Sequence, residues 1–174
     1  MNPKLGHFLK AGLLIGSWTL AMPSLALPED REQAFQLQAD SQTFDQKNGR
    51  VTYSGEARLQ QGSMVIEADT ITVDFATDNS VSKVTALGDP AKFQQRPSRD
   101  RGTVYAEGET ITYDSDNNTV SLEQEAKLEQ DGAVMRGFSI HYDLTRELVR
   151  AESDKSESSE QQRIQMTIPP AMVE

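Results

Sequence analysis

The strongest constraint on this chain is an apolar pattern that recurs four times with the same slip in it. Asp45, Asp74, Asp114 and Asp143 each close a segment of the form apolar-x-apolar-x-small-x-x-variable-x-apolar-Asp. The copies are Phe35, Leu37, Ala39, Gln42, Phe44; Met64, Ile66, Ala68, Ile71, Val73; Val104, Ala106, Gly108, Ile111, Tyr113; and Ala133, Met135, Gly137, Ile140, Tyr142. The anchors stand 29, 40 and 29 residues apart, so the middle connection is the longer one. Apolar residues at every second position mark a strand with one buried face. At the small residue the step lengthens by one, and because strand side chains have period 2 this would flip the faces. A bulge or corner at the slip returns the same face to the interior, and a small residue leaves room for the bend. Each copy therefore predicts two short strands joined at a corner.

A second half-pattern follows each turn. It runs Val51-x-Tyr53-x-Gly55-Glu56-Ala57-Arg58-Leu59, then Val84-x-Ala86-x-Gly88-Asp89-Pro90-Ala91-Lys92-Phe93, then Val120-x-Leu122-x-Gln124-Glu125-Ala126-Lys127-Leu128. The fourth copy starts at Val149-x-Ala151 and is interrupted by a Ser/Glu-rich stretch, 152–162, which reads as a mobile loop. The strand resumes over 163–168 and is stopped by Pro169-Pro170. Lys47-Asn48-Gly49, Thr77-Asp78-Asn79-Ser80 and Ser115-Asp116-Asn117-Asn118 supply the turns. The expectation is an all-β fold of about four bent hairpins stacked along one axis. Repeats of this kind bury a core only by stacking. Edge strands are expected near Phe35 and Leu37 at one end and near Ile164, Met166 and Ile168 at the other.

Composition narrows the function. The 174 residues contain no cysteine, which removes disulfide scaffolds, thiolate metal sites and thiol catalysis. The formal charge of -10 disfavours nucleic acid as a partner. His7 and His141 are the only histidines, too few for a His-rich metal centre. A hydrophobic fraction of 36% predicts a thin core. Residues 1–26 read as a cleaved secretory signal: Lys4 and Lys10, an apolar run over 11–21, Pro23, then Ser24-Leu25-Ala26. The alternative is a retained inner-membrane anchor, against which stands an apolar core well short of the roughly 20 residues that span a bilayer. Removal of 1–26 takes away two lysines and no acid, which deepens the charge to -12. An exported chain without cysteine suits a bacterial periplasm.

Gln38-Ala39-Asp40-Ser41-Gln42, Val51-Thr52-Tyr53-Ser54-Gly55-Glu56-Ala57, Gln60-Gln61-Gly62, Ile66-Glu67-Ala68-Asp69, Gly88-Asp89-Pro90-Ala91-Lys92-Phe93 and Ser153-Asp154-Lys155, taken in order, resemble the LptA/OstA-N family of lipopolysaccharide transport. The resemblance covers about residues 33–170 and departs from the family at the 152–162 insert, where the family has a shorter basic turn. It implies an open, twisted antiparallel β-jellyroll over 27–170, with 171–174 as a tail. It further implies binding of the lipid A part of lipopolysaccharide along an apolar interior, in the periplasm. Head-to-tail self-association is implied as well, as is sheet continuation onto an LptC-like inner-membrane component and the N-terminal domain of an LptD-like outer-membrane component. Elementary energetics is compatible with each point. A buried CH₂ contributes roughly 0.8 kcal/mol, free edge strands template further pairing, and a head-to-tail contact does not close.

The expected lipid-facing residues are Phe35, Leu37, Phe44, Met64, Ile66, Ile71, Val73, Ile111, Tyr113, Met135, Ile140 and Tyr142. Pattern alone makes them an ordinary sandwich core, and the resemblance makes them the lining of a trough. Arg96, Arg99 and Arg101, with Lys92, form the basic cluster of the long middle connection, a solvated loop or a contact for phosphates or an acidic partner. Alternation points His141 outward together with Ser139 and Asp143. Asp114 to Glu125 resembles a calcium loop, but Thr119 stands where the turn glycine belongs, so an Asx turn is expected. No phosphate-loop motif occurs. The reading is a non-enzymatic carrier without cofactor or metal. The competing readings are a periplasmic β-sandwich that only joins proteins, and an inner-membrane-anchored LptC-like component.

Overall fold

The computed structural model describes residues 30–98, 101–154 and 163–170. Its strands are β1 (Gln36–Gln38), β2 (Ser41–Asp45), β3 (Arg50–Gln61), β4 (Met64–Phe75), β5 (Val81–Gln95), β6 (Val104–Asp114), β7 (Thr119–Gln130), β8 (Ala133–Asp143), β9 (Leu148–Glu152) and β10 (Gln165–Thr167). A short 3-10 turn, Asp30–Glu32, precedes them. All pair antiparallel in one sheet that runs β1-β3-β4-β5-β6-β7-β8-β10, with β2 on β3 and β9 on β8. The sheet stays open, since β1 and β2 end it on one side and β9 and β10 on the other.

The predicted slip is visible as a shift of register in the middle of each long pairing. The shifts fall between Ser54 and Ala57, Glu67 and Thr70, Leu87 and Ala91, Glu107 and Thr110, and Glu123 and Ala126. Where two strands were expected per copy, β4, β6 and β8 are each one continuous strand bent at this bulge. The backbone ladder simply resumes beyond the bulge, so the strand need not end there. Only the first copy is divided, into β1 and β2. The bulge residues Gly55, Glu56, Gln124 and Glu125 have φ of 86°, 42°, 62° and 53°, the left-handed conformation that turns a chain sharply. The small residues have a direct reason. A Cβ on Gly108 would stand 3.2 Å from the Glu123 carbonyl oxygen, and one on Gly137 would stand 3.1 Å from that of Glu152. Small residues also face each other across the corner, as Ala57–Ala68, Ala91–Gly108 and Ala126–Gly137.

The line of corners folds the sheet into two arms. Arm A carries β1, the C-terminal halves of β3, β5 and β7, the N-terminal halves of β4, β6 and β8, and β10. Arm B carries β2, the complementary halves, and β9. Directly opposed residues project to the same face, so register turns the repeat into rungs. On arm B one rung runs Val51, Val73, Val84, Tyr113, Val120, Tyr142, and the next Tyr53, Ile71, Ala86, Ile111, Leu122, Ile140. On arm A the matching rung is Leu59, Ile66, Phe93, Ala106, Leu128, Met135. Both arms contribute to a single buried cluster.

The outward rungs are polar. Thr43, Thr52, Thr72, Thr85, Thr112, Ser121, His141 and Arg150 form one. The four anchors share another, where Arg50 and Lys83 alternate with Asp45, Asp74 and Asp114. Three anchors work locally: the carboxylate of Asp45 accepts the Asn48 N–H at 3.1 Å, Asp114 that of Asn117 at 2.9 Å and Asp143 that of Thr145 at 3.0 Å. Asp74 instead binds Arg50 Nε at 2.6 Å. Asn48 and Asn117 hold the carboxyls of Asp45 and Asp114 below their ordinary value of 3.8, and Ser80 does the same for Asp78.

Two measurements follow from this packing. Ile111→Ala, at a side chain with no exposure, should cost about 2–5 kcal/mol in urea unfolding. Its neighbour Thr112→Ala, on the outer face, should stay within about 0.5 kcal/mol of the parent. The turn carboxylates favour the charged form when folded, so their stabilisation is complete above the unfolded value of 3.8 and is withdrawn as pH falls through the lower folded values. Carboxyl NMR titration should therefore place Asp45, Asp78 and Asp114 below 3.8, with unfolding midpoints dropping over the same acid window.

Candidate functional site: an apolar interior with uncovered ends

The space between the arms is where the apolar rungs converge. Of the residues that the repeat assigns to it, Met64, Ile66, Ile71, Val73, Ile111, Tyr113, Ile140 and Tyr142 are at most 2% exposed. Phe35, Leu37 and Met135 are partly buried against the same cluster. Phe44 departs from the expectation and is 58% exposed. It lies opposite Val51 on the inward rung, but β2 is the last strand of arm B and no further strand covers it. The second half-pattern contributes as much lining as the first. Leu59, Val84, Phe93, Val120 and Leu122 are buried, although only the first half was singled out for the site. Their alternation, equally regular in the sequence, was the signal for them.

At the far end the mirror situation holds. Met166 lies opposite Met135 on the inward rung of arm A, and alternation puts Ile164 and Ile168 on its face. All three are exposed, at 56%, 47% and 50%. The ladder of apolar side chains thus runs through the molecule and comes out uncovered at opposite corners, on arm B beside β2 and on arm A beside β10. The strand predicted over 163–168 is shorter, β10 being Gln165–Thr167.

At the arm tips, hydrogen bonds tie neighbouring turns of arm A together, and one ion pair joins arm A to arm B. On arm A, Asp30 accepts the Ser63 N–H at 2.8 Å and Gln95 Nε2 at 3.1 Å. Gln61 Nε2 donates to the Gln33 carbonyl at 3.0 Å, so the segment entering β1 lies across that tip. Between the arms, Arg101 Nη2 meets Glu147 Oε2 at 3.0 Å. Beneath this pair, burial pushes the Tyr142 phenol above its ordinary range, with Glu147 adding to the shift and Arg101 opposing it. Concavities of about 100 Å³ and 230 Å³ lie against the outer faces, the first beside Lys92 and Tyr105, the second beside Ser121, His141, Arg146 and Arg150.

The remaining sequence candidates separate as follows. Arg96 and Arg101 are exposed in the connection from β5 to β6, and Arg99 lies outside the described residues. Outside them too are residues 1–29, most of the 152–162 insert and the 171–174 tail. His141 faces outward, its Nδ1 2.9 Å from Ser121 Oγ. Ser139 shares that face but is 9% exposed, shielded by the neighbouring strands. The Asp114 loop is a turn in which the carboxylate holds Asn117 through both its N–H and its side-chain amide. Among the described residues no group of three or more acidic or histidine side chains is placed to hold a metal ion, and no helix is long and apolar enough to cross a membrane.

A sheet folded at a line of bulges, apolar between its arms and free at both edges, defines an open β-jellyroll. The chain belongs to the family described as LptA/(LptD N-terminal domain) LPS transport protein, which matches residues 36–148. It is 37% identical over 169 residues to the lipopolysaccharide export system protein LptH of Pseudomonas aeruginosa, covering 94% of this chain and 97% of that one. It is 28% identical over 151 residues to the export system protein LptA of Escherichia coli K12, covering 84% and 80%. The crystal structure of LptH, the LptA homologous periplasmic component of the lipopolysaccharide transport device of P. aeruginosa, superposes with a TM-score of 0.75 at 36% identity, over 82% of this chain and all of that one. The family is one of transport components rather than enzymes.

Proposed function

We propose that this chain is a periplasmic lipopolysaccharide carrier that bridges the inner and outer membranes, holding lipid A acyl chains between its arms while sugars and phosphates stay in water. The observation that carries the reading is the unbroken apolar ladder through β3 to β8 that ends in uncovered side chains at both edges. Copies join head to tail by adding β1 and β2 of one to β10 and β9 of the next. The same edges accept the related folds of an LptC-like component at the inner membrane and of the LptD-like N-terminal domain at the outer one. Main-chain pairing supplies affinity at such an edge. The exposed Phe44, Ile164, Met166 and Ile168 become interior when a neighbour covers them. On this reading the work is transfer rather than catalysis, and direction must come from an energy-driven machine elsewhere. In this reading the exposed Arg96 and Arg101 meet the cargo phosphates.

One observation favours a second reading. The interior is packed, with Leu59, Ile66, Ile71 and Ile140 fully buried, which suits a sandwich that only joins proteins. Photo-crosslinking side chains separate the two. Placed at inward Ile71, Ile111 and Ile140 and at outward Thr72, Thr112 and His141, they should give lipopolysaccharide adducts at the inward set alone. Adducts at none of the inward positions would leave the joining role as the function. For assembly, Ile164→Asp or Ile168→Pro should shift the size distribution toward single copies while the circular dichroism stays that of the parent. An unchanged distribution would remove the β10 edge from the interface.

A further inference from the structure

The interior is uncovered at its two ends, and sideways access to it runs between the arm tips. Arg101 and Glu147 are placed at that point. Arg101 lies in the connection from β5 to β6 at the tip of arm A, and Glu147 in the turn from β8 to β9 at the tip of arm B. The ion pairs Arg50–Asp74, Arg58–Glu67 and Lys127–Glu107 each join adjacent strands of one arm. Arg101–Glu147 joins the two arms, at 3.0 Å. Its side chains are 50% and 40% exposed, so the pair is weak and open to exchange. Tyr142, at the inner end of the same opening, carries the electrostatic influence of both charges.

We propose that this pair is the empty form of an anion site at the mouth of the interior: a phosphate on a glycolipid headgroup replaces the Glu147 carboxylate on the Arg101 guanidinium as the arms open. The proposal rests on the carrier reading above. A guanidinium fork binds a carboxylate and a phosphate oxygen pair with the same geometry. A phosphorylated headgroup therefore substitutes for the internal acid rather than needing a site of its own. Glu147 acts as a built-in competitor, holding the arms together when no cargo is present and yielding to a ligand of higher charge. Opening is thereby coupled to the headgroup, and an uncharged lipid loses that advantage. In a chain this acidic, a cation already neutralised by its own carboxylate also avoids drawing stray anions to the mouth.

The test compares the mature parent with Glu147→Gln, Arg101→Gln and the double variant. Each is titrated with diphosphorylated lipid A and with the same acylated diglucosamine lacking phosphates. Glu147→Gln should bind the diphosphorylated lipid roughly two- to five-fold more tightly, the range set by an exposed ion pair, and Arg101→Gln should lose the preference for phosphate. The double variant should match Arg101→Gln. Because the natural chain has no cysteine, spin labels at Asp131→Cys and Arg146→Cys report the tip separation. It should lengthen with the diphosphorylated lipid and stay unchanged with inorganic phosphate alone, which distinguishes the headgroup from free phosphate. Equal shifts for both lipids in either single variant, or tip opening by inorganic phosphate alone, would overturn the exchange. A parent that binds neither lipid would overturn the carrier reading itself, and the proposal with it.

Discussion

Everything in this molecule depends on antiparallel register being kept across β3 to β8 while each strand is bent at the same place. Register places side chains directly opposite one another, so a repeated apolar position becomes a continuous rung. The bulge keeps that rung on one face beyond the corner. Without it the slip would turn Ile71, Ile111 and Ile140 outward and the threonines inward. Gly108 and Gly137 belong to the same constraint, since a neighbouring backbone carbonyl stands within 3.2 Å of where a Cβ would be. Fold and core are thus consequences of one geometric device repeated along an axis.

Much of this was legible beforehand because it is local and periodic. Strand parity needs only second-neighbour residues, and Asp45, Asp114 and Asp143 mark turns whose hydrogen bonds reach three residues ahead. Phe44 shows the limit. Its parity is that of the inward set and its partner Val51 is buried, yet burial depends on how many strands stand on either side, which no local pattern records. Its copy is written like the others, as though another strand were to lie beyond it. Glu147 was invisible for a different reason. Its partner lies 46 residues away, across the interior rather than along a rung, and no repeat position announces it. Arg101 was noticed for its charge alone, and only the structure supplies its counter-ion.

The acidic surface gains a clearer role from the same geometry. On the outer face of arm A, Arg58, Glu67, Lys92, Glu107 and Lys127 alternate in sign along one rung, so charge there is largely internal bookkeeping between strands. Each exposed pair contributes little to stability, with a median near 0–1 kcal/mol. Their alternation instead sets opposite charges across each pairing in the observed register. An outside of this kind attracts an anionic glycolipid weakly. Affinity for such cargo must then come mainly from apolar contact between the arms.

That contact has to be nearly balanced to serve transport. Burying a twelve-carbon chain gains roughly 9 kcal/mol at about 0.8 kcal/mol per CH₂. Parting the arms gives up packing among side chains such as Leu59, Ile66, Phe93 and Leu122 that are now buried, each worth roughly 1.5–3 kcal/mol when fully exposed. A lipid that replaces those contacts one for one gains only the difference, so it is held without being trapped. The equal rungs extend this argument along the axis. Because the interior of β4 resembles that of β6 and β8, moving a chain by one rung exchanges like for like, with no deep minimum to leave. A deeper, wider, permanently open pocket would bind more tightly and release more slowly. On the carrier reading, a packed and repetitive interior is therefore the form that suits passage over storage.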